Sequence, residues 1–218
     1  MTNDRAGDRV AGLSTRLLVL FLAMVVAGFV IPSPGIAGDT KTGTGSYRAL
    51  AAPSRPVELI VPEIKLRAPI VPIEIAPDGV LTPPSDVHEV GWWKRSAKPG
   101  ATTGQTLITG HTVHTGGGVM NRLGDLRPGS MIQIRTPRGT VDYSATQVFV
   151  YTKAQVAKHA QELFSQKRQH GRLVLVTCTG WTGHDYTSNI IVFADQLGVA
   201  AAADGKAARK KAAPKKAA

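Results

Sequence analysis

Cysteine is nearly absent: Cys178 stands alone in 218 residues. One cysteine excludes an internal disulfide and a cysteine-rich zinc site. Taken alone, it reads first as a small buried hydrophobe. Helical zinc signatures are missing too, since neither His-x-x-x-His nor His-Glu-x-x-His occurs. His114, His184 and Asp185 therefore read as rim or loop residues rather than metal ligands. Gly116-Gly117-Gly118 is not followed by Gly-Lys-Ser/Thr, which excludes a phosphate loop. Those glycines instead let the chain turn sharply after His111. No cluster of acids suits calcium, no segment repeats, and no cofactor is expected.

Long apolar runs are lacking as well. The charge-free stretch from Leu17 to Ile31 is only 15 residues, whereas a spanning helix needs roughly 20. It follows Arg5, Arg9 and Arg16 and is closed by Pro32 and Pro34. That pattern suits a signal peptide, cleaved after Ala37, or a signal anchor lengthened by its flanks. The expectation is a single-pass membrane protein with an extracytoplasmic domain, or a secreted one after cleavage, with the arginines staying inside. Acidic residues are scarce, 15 against 26 basic, for a net charge of +11. The excess is mostly a tail property. Lys206, Arg209, Lys210, Lys211, Lys215 and Lys216 lie in the last 13 residues, whereas residues 57–198 hold 14 basic and 11 acidic side chains. A nucleic-acid partner is not implied. The expected organisation is 1–37 signal segment, 38–56 flexible Gly/Thr/Ala/Pro-rich linker, 57–198 folded domain and 199–218 disordered basic tail.

The folded region reads as mainly β. Val57–Val61, Ala68–Ile75, Val90–Trp93, Gln105–Thr109, Met131–Arg135, Thr140–Tyr151, Arg172–Thr177 and Asn189–Ala194 are short runs, apolar or alternating, broken by proline, glycine and aspartate. Helical pattern is sparse, confined to about Val119–Leu123 and Gln155–Phe164. Some eight strands with turn punctuation point to a barrel or sandwich. Trp92-Trp93 reads as core packing, with groove lining as the alternative.

The chemistry gathers at two strand ends. Cys178 follows the apolar run Leu173–Val176 and opens into Thr179-Gly180-Trp181-Thr182-Gly183. A cysteine held by a buried strand yet facing a polar loop has the exposure a reactive thiol needs. Attack on a carbonyl requires the thiolate and so a basic partner. His111 is the candidate, since it too ends an apolar run, Leu107-Ile108-Thr109-Gly110.

Thr106–His111 (TLITGH) and Leu175–Gly180 (LVTCTG) resemble the two signature strands of sortases. Met120–Gly129 (MNRLGDLRPG) and the separation of 67 positions between His111 and Cys178 are similar as well. The resemblance spans Val57 to Ala194. Gly110–Gly118 and Asn189–Ala194 look most like actinobacterial sortases of classes E and F. The resemblance implies an eight-stranded β-barrel with one or two short helices, preceded by the N-terminal apolar helix. It implies a transpeptidase that cleaves an LPXTG-like or LAXTG-like sorting signal between Thr and Gly through a thioester on Cys178. His111 would protonate the leaving amine and deprotonate the acceptor amine, from a peptidoglycan precursor or a pilin lysine. The pair is mostly neutral at rest in that family.

One departure is plain. The family carries an arginine on the strand after the cysteine, and here no arginine follows Cys178 until Arg209. Asn189 takes its place, or Thr187 if the register slips by two. An arginine from another strand, Arg122 or Arg172, is the alternative. A rival reading is a catalytically weak or inactive barrel that binds sorting signals or wall components. An L,D-type transpeptidase is disfavoured because its SHGC-like stretch is missing.

Overall fold

A computed structural model describes residues 46–77 and 79–201. The signal segment and nearly all of the basic tail lie outside the described residues, as does the first part of the linker. Among the described residues no helix is long and apolar enough to cross a membrane.

Among the described residues nine strands appear in chain order: β1 (Tyr47–Arg48), β2 (Glu58–Val61), β3 (Leu66–Ile73), β4 (Val90–Trp93), β5 (Gln105–Gly110), β6 (Met131–Thr136), β7 (Gly139–Thr152), β8 (Arg172–Trp181) and β9 (Tyr186–Ala200). Two short helices, α1 (Lys153–Lys158) and α2 (Ala160–Phe164), follow β7 directly. The sheet order is β1-β9-β7-β6-β2-β3-β4-β5-β8, and a further β8–β9 pairing closes all but β1 into a ring. Strands β2 to β9 therefore form a closed eight-stranded barrel, with β1 added against the end of β9. Closure removes the exposed edges that an open sheet would leave. β3–β4 and β5–β8 pair in parallel, and the other ladders are antiparallel. β7 is 14 residues long and β9 is 15, with register shifts at Asp142/Tyr143 and Ala145/Gln147. Such irregularities bend a strand and let it curve round the barrel.

The strongly apolar runs have a simple cause: they are buried on both faces. Ile108, Leu173, Leu175, Ile190 and Val192 point into the barrel core with Leu59, Ile132 and Tyr143. Their alternating neighbours Leu107, Val174, Ile191 and Phe193 form a second cluster on the outside, capped by Leu163 of α2. A strand covered on both sides shows a continuous apolar run instead of strict alternation. Burial holds Tyr143 neutral well above the ordinary phenol range. Trp92 belongs to the inner core, whereas Trp93 packs on the outer cluster edge-on to Phe164 at 5.9 Å.

Two boundaries move. Within the expected linker, Tyr47 and Arg48 pair with Ala200 and Val199, and Leu50 is buried in the core. Chain beyond the expected end at 198 also remains in β9. Neither segment is apolar enough to signal this alone, because each strand end depends on the other.

Candidate active site

Cys178 lies near the end of β8 on the barrel's outer face, two and four residues beyond Val176 and Val174. It pairs directly with Asn189 of β9. In antiparallel strands such partners share a face, so their side chains adjoin. Asn189 Nδ2 is 3.9 Å from the Cys178 sulfur and donates to the Thr177 carbonyl at 3.3 Å. Thr187, the slipped-register alternative, donates to the Gly180 carbonyl instead.

His111 follows β5 immediately. The β5–β8 ladder pairs Gln105 with Arg172 and Thr109 with Val176, and the same offset carried two residues further sets His111 level with Cys178. Thr177 locks this strand pair just below. Its hydroxyl donates to the Gly110 carbonyl at 2.8 Å, so its oxygen accepts from Thr112 at 2.9 Å. Gly110 is required by close packing, since a Cβ there would sit 2.9 Å from Val90 and 3.0 Å from Met120. The loop beyond is tied back by Met120 N–H to the His111 carbonyl at 3.0 Å. Asn121 and Val113 exchange two bonds of 2.8 and 2.9 Å.

The imidazole has a specific partner. His111 Nε2 lies 2.7 Å from the Pro84 carbonyl. A carbonyl only accepts, so Nε2 carries the proton and Nδ1 is the free nitrogen of the neutral ring. No sequence signal marks this contact, because a backbone oxygen has no residue signature.

A cavity of about 610 Å³ opens beside the thiol. Leu107, Thr109 and Val176 form its floor, residues 79–83 one wall, and Val156, Ala157, Ala160 and Phe164 of the helices the other. Cys178, Asn189 and Lys153 stand at one part of this lining. The trough is largely apolar with few polar groups, as ligand clefts commonly are. Burial pushes the Cys178 thiol up from its ordinary range, the positive charge of Lys153 opposes this, and Asp185 reinforces it. The resting thiol is therefore protonated at neutral pH. Lys153 is ion-paired with Asp185.

Neither of the two arginine alternatives lines the cavity beside Cys178. Arg122 pairs with Asp125 at 2.9 Å, both side chains exposed, at the start of the short turn Leu123–Asp125. Arg172 begins β8, six residues before Cys178, hence about 20 Å away at about 3.3 Å per residue. There it bonds Gln105 at 2.8 Å and the Glu162 carbonyl at 3.1 Å, and lies 4.0 Å from the Phe193 ring centre. Its pKa is pushed down to about 10, first by burial, yet it remains charged at neutral pH. His114 stacks on Trp181 at 4.1 Å, and Trp181 also meets Tyr186 at 5.0 Å.

Residues 59–197 match the family model described as Sortase domain. The chain belongs to the sortase family. Membership places this sortase among cysteine transpeptidases. Solved structures with the same fold include sortase C1 from Streptococcus suis, at 21% identity and a TM-score of 0.51, covering 66% of this chain and 73% of that one. Sortase A from Corynebacterium diphtheriae is similar at 19% identity and a TM-score of 0.53, covering 71% and 65%. At these identities the likeness conveys the barrel and not the substrate. A search of curated protein sequences finds no match.

Proposed function

We propose that this sortase cleaves an LPXTG-like or LAXTG-like sorting signal between Thr and Gly and transfers the new carboxyl end to an amine. The observation that carries this reading is the cross-strand pair Cys178–Asn189, with His111 level with it, at the side of an apolar trough. The trough suits the apolar residues of an extended peptide, whose scissile carbonyl would lie over the thiol.

The protonated thiol loses its proton to His111 Nδ1 as the sulfur attacks the carbonyl carbon. The carbonyl π pair moves to oxygen, where the Asn189 amide donates. Collapse re-forms the carbonyl and expels the glycine amine, which takes the proton from His111. An acyl thioester remains on Cys178. The acceptor amine then attacks, His111 takes its proton, and the sulfur leaves and recovers that proton from His111. Throughout, the Pro84 carbonyl holds the Nε2 proton and fixes the ring. The acceptor is an amine of a peptidoglycan precursor or a pilin lysine. Membrane attachment through the N-terminal segment, with the domain outside the cell, accords with that chemistry. The class E or F assignment rests on Gly110–Gly118 and Asn189–Ala194.

Incubating the domain with sorting-signal peptides and an amine should yield a Cys178 acyl-enzyme visible by mass spectrometry, and then the amide product. If neither peptide type ever acylates Cys178, the catalytic reading fails and a binding barrel takes its place.

A further inference from the structure

We propose that Lys153 is a catalytic residue: its ammonium, released from Asp185, meets the oxyanion formed over Cys178. The proposal rests on the acyl-transfer reading above and deepens it. Four observations carry it.

Among the described residues, Lys153 is the one charged side chain in the cavity lining, and it shares that lining with Cys178 and Asn189. Its backbone is firmly placed. Tyr151 pairs with Asn189, and Thr152 with Ser188, so Lys153 leaves β7 with only β9 between it and the strand of the thiol. Thr152 then begins α1 in a reciprocal capping box with Gln155. Third, the positive charge reaches the sulfur, because it favours the thiolate against the effect of burial and of Asp185. Fourth, the Lys153–Asp185 pair is exposed, 63% and 70% at the side chains. An exposed pair is held weakly and can be exchanged for a better partner.

The chemistry fits the position. Asn189 offers a neutral donor, and part of its amide is already committed to the Thr177 carbonyl. An ammonium is a compact point charge on a flexible stem, suited to a single oxygen. As thiolate adds to the carbonyl carbon, negative charge gathers on that oxygen. Lys153 donates a hydrogen bond to it and keeps its own proton. When the tetrahedral species collapses, the charge vanishes and Lys153 returns to Asp185. Asp185 is suited to this parking role. It sits in the β8–β9 turn, where its carboxylate also accepts from the Tyr186 N–H at 2.7 Å, and hydrogen bonding from Lys153 holds it ionised below the usual carboxylate range. Tyr186 is a further titratable group near the thiol, and His111 lies level with Cys178 beyond the end of β5.

The test compares Lys153→Met, Lys153→Arg and Asp185→Asn, with thermal melting to verify that each variant is folded. Lys153→Met should slow acylation by a sorting-signal peptide about 10²-fold, in keeping with loss of one oxyanion donor, and Lys153→Arg should recover most of it. Acylation by p-nitrophenyl acetate should slow alongside, since that ester needs no sorting motif. The pH midpoint for Cys178 alkylation by iodoacetamide should rise in Lys153→Met and fall in Asp185→Asn. An ester acylation rate within threefold of the unmodified protein in Lys153→Met overturns the proposal. So does an unmoved alkylation midpoint. Failure of the sorting peptide alone, with the ester result intact, overturns the substrate reading and leaves Lys153 in its role.

Discussion

Single residues divide into those placed by their own strand and those placed by another element. Asn189 is of the first kind: alternation puts it on the same face as Thr187, and the observed register selects it as the neighbour of Cys178. Asn189→Ala should lower kcat for peptide cleavage at least tenfold, with KM little changed, as expected for a group used in the transition state. Unchanged turnover would remove Asn189 from the mechanism. Lys153 is of the second kind. It precedes Cys178 by 25 positions, and the two meet only because β7 and β8 both pair with β9. Nothing local in Thr152-Lys153-Ala154 announces that meeting. Arg172 is the reverse case. It shares a strand and a face with Cys178, but six residues of strand rise put it too far away, so spacing along β8 is enough to exclude it.

Elements were legible where burial pattern dictates them. The runs at Gln105–Thr109, Arg172–Thr177 and Asn189–Ala194 became β5, β8 and the middle of β9, because strands covered on both faces must be apolar throughout. Their ends were harder to read, since hydrogen bonding across the ladder, not hydropathy, extends β9 to Ala200. The β5–β8 junction is where element and chemistry join. Thr177 is 1% exposed, and its hydroxyl spans Gly110 and Thr112 on either side of His111. Thr177→Val keeps the shape but strands a carbonyl and a hydroxyl. It should cost about 1–3 kcal/mol of stability, the usual penalty for buried groups left without partners. A lower melting temperature and a reduced acylation rate should appear together, and Thr177→Ser should restore both. Full stability and activity in Thr177→Val would show that the lock is dispensable.

At the scale of the molecule, the composition and turn signals pointed to a β-barrel or sandwich, and the resemblance narrowed this to eight strands. The order of strands was not legible from pattern, because the β2–β6, β5–β8 and β7–β9 pairings join segments far apart in sequence. The pairing of Tyr47 with Ala200 brings the two ends of the folded unit together, the arrangement that tolerates circular permutation. New termini at Pro137-Arg138, in the turn between β6 and β7, should leave Cys178 acylation within a few-fold of the original chain. New termini in the Thr182–Asp185 turn should reduce it by more than 10²-fold, since that turn holds β8 to β9 and carries Asp185. Equal activity in both permutants would contradict a site that depends on this seam. The seam also has a bearing on timing. As the chain is synthesised, His111 and its clamping loop come first, Lys153 next, and Cys178 on the penultimate strand; Asn189 arrives on the last. A growing chain thus carries a thiol without its catalytic partners, and it acquires the last of them in the same step that completes the barrel.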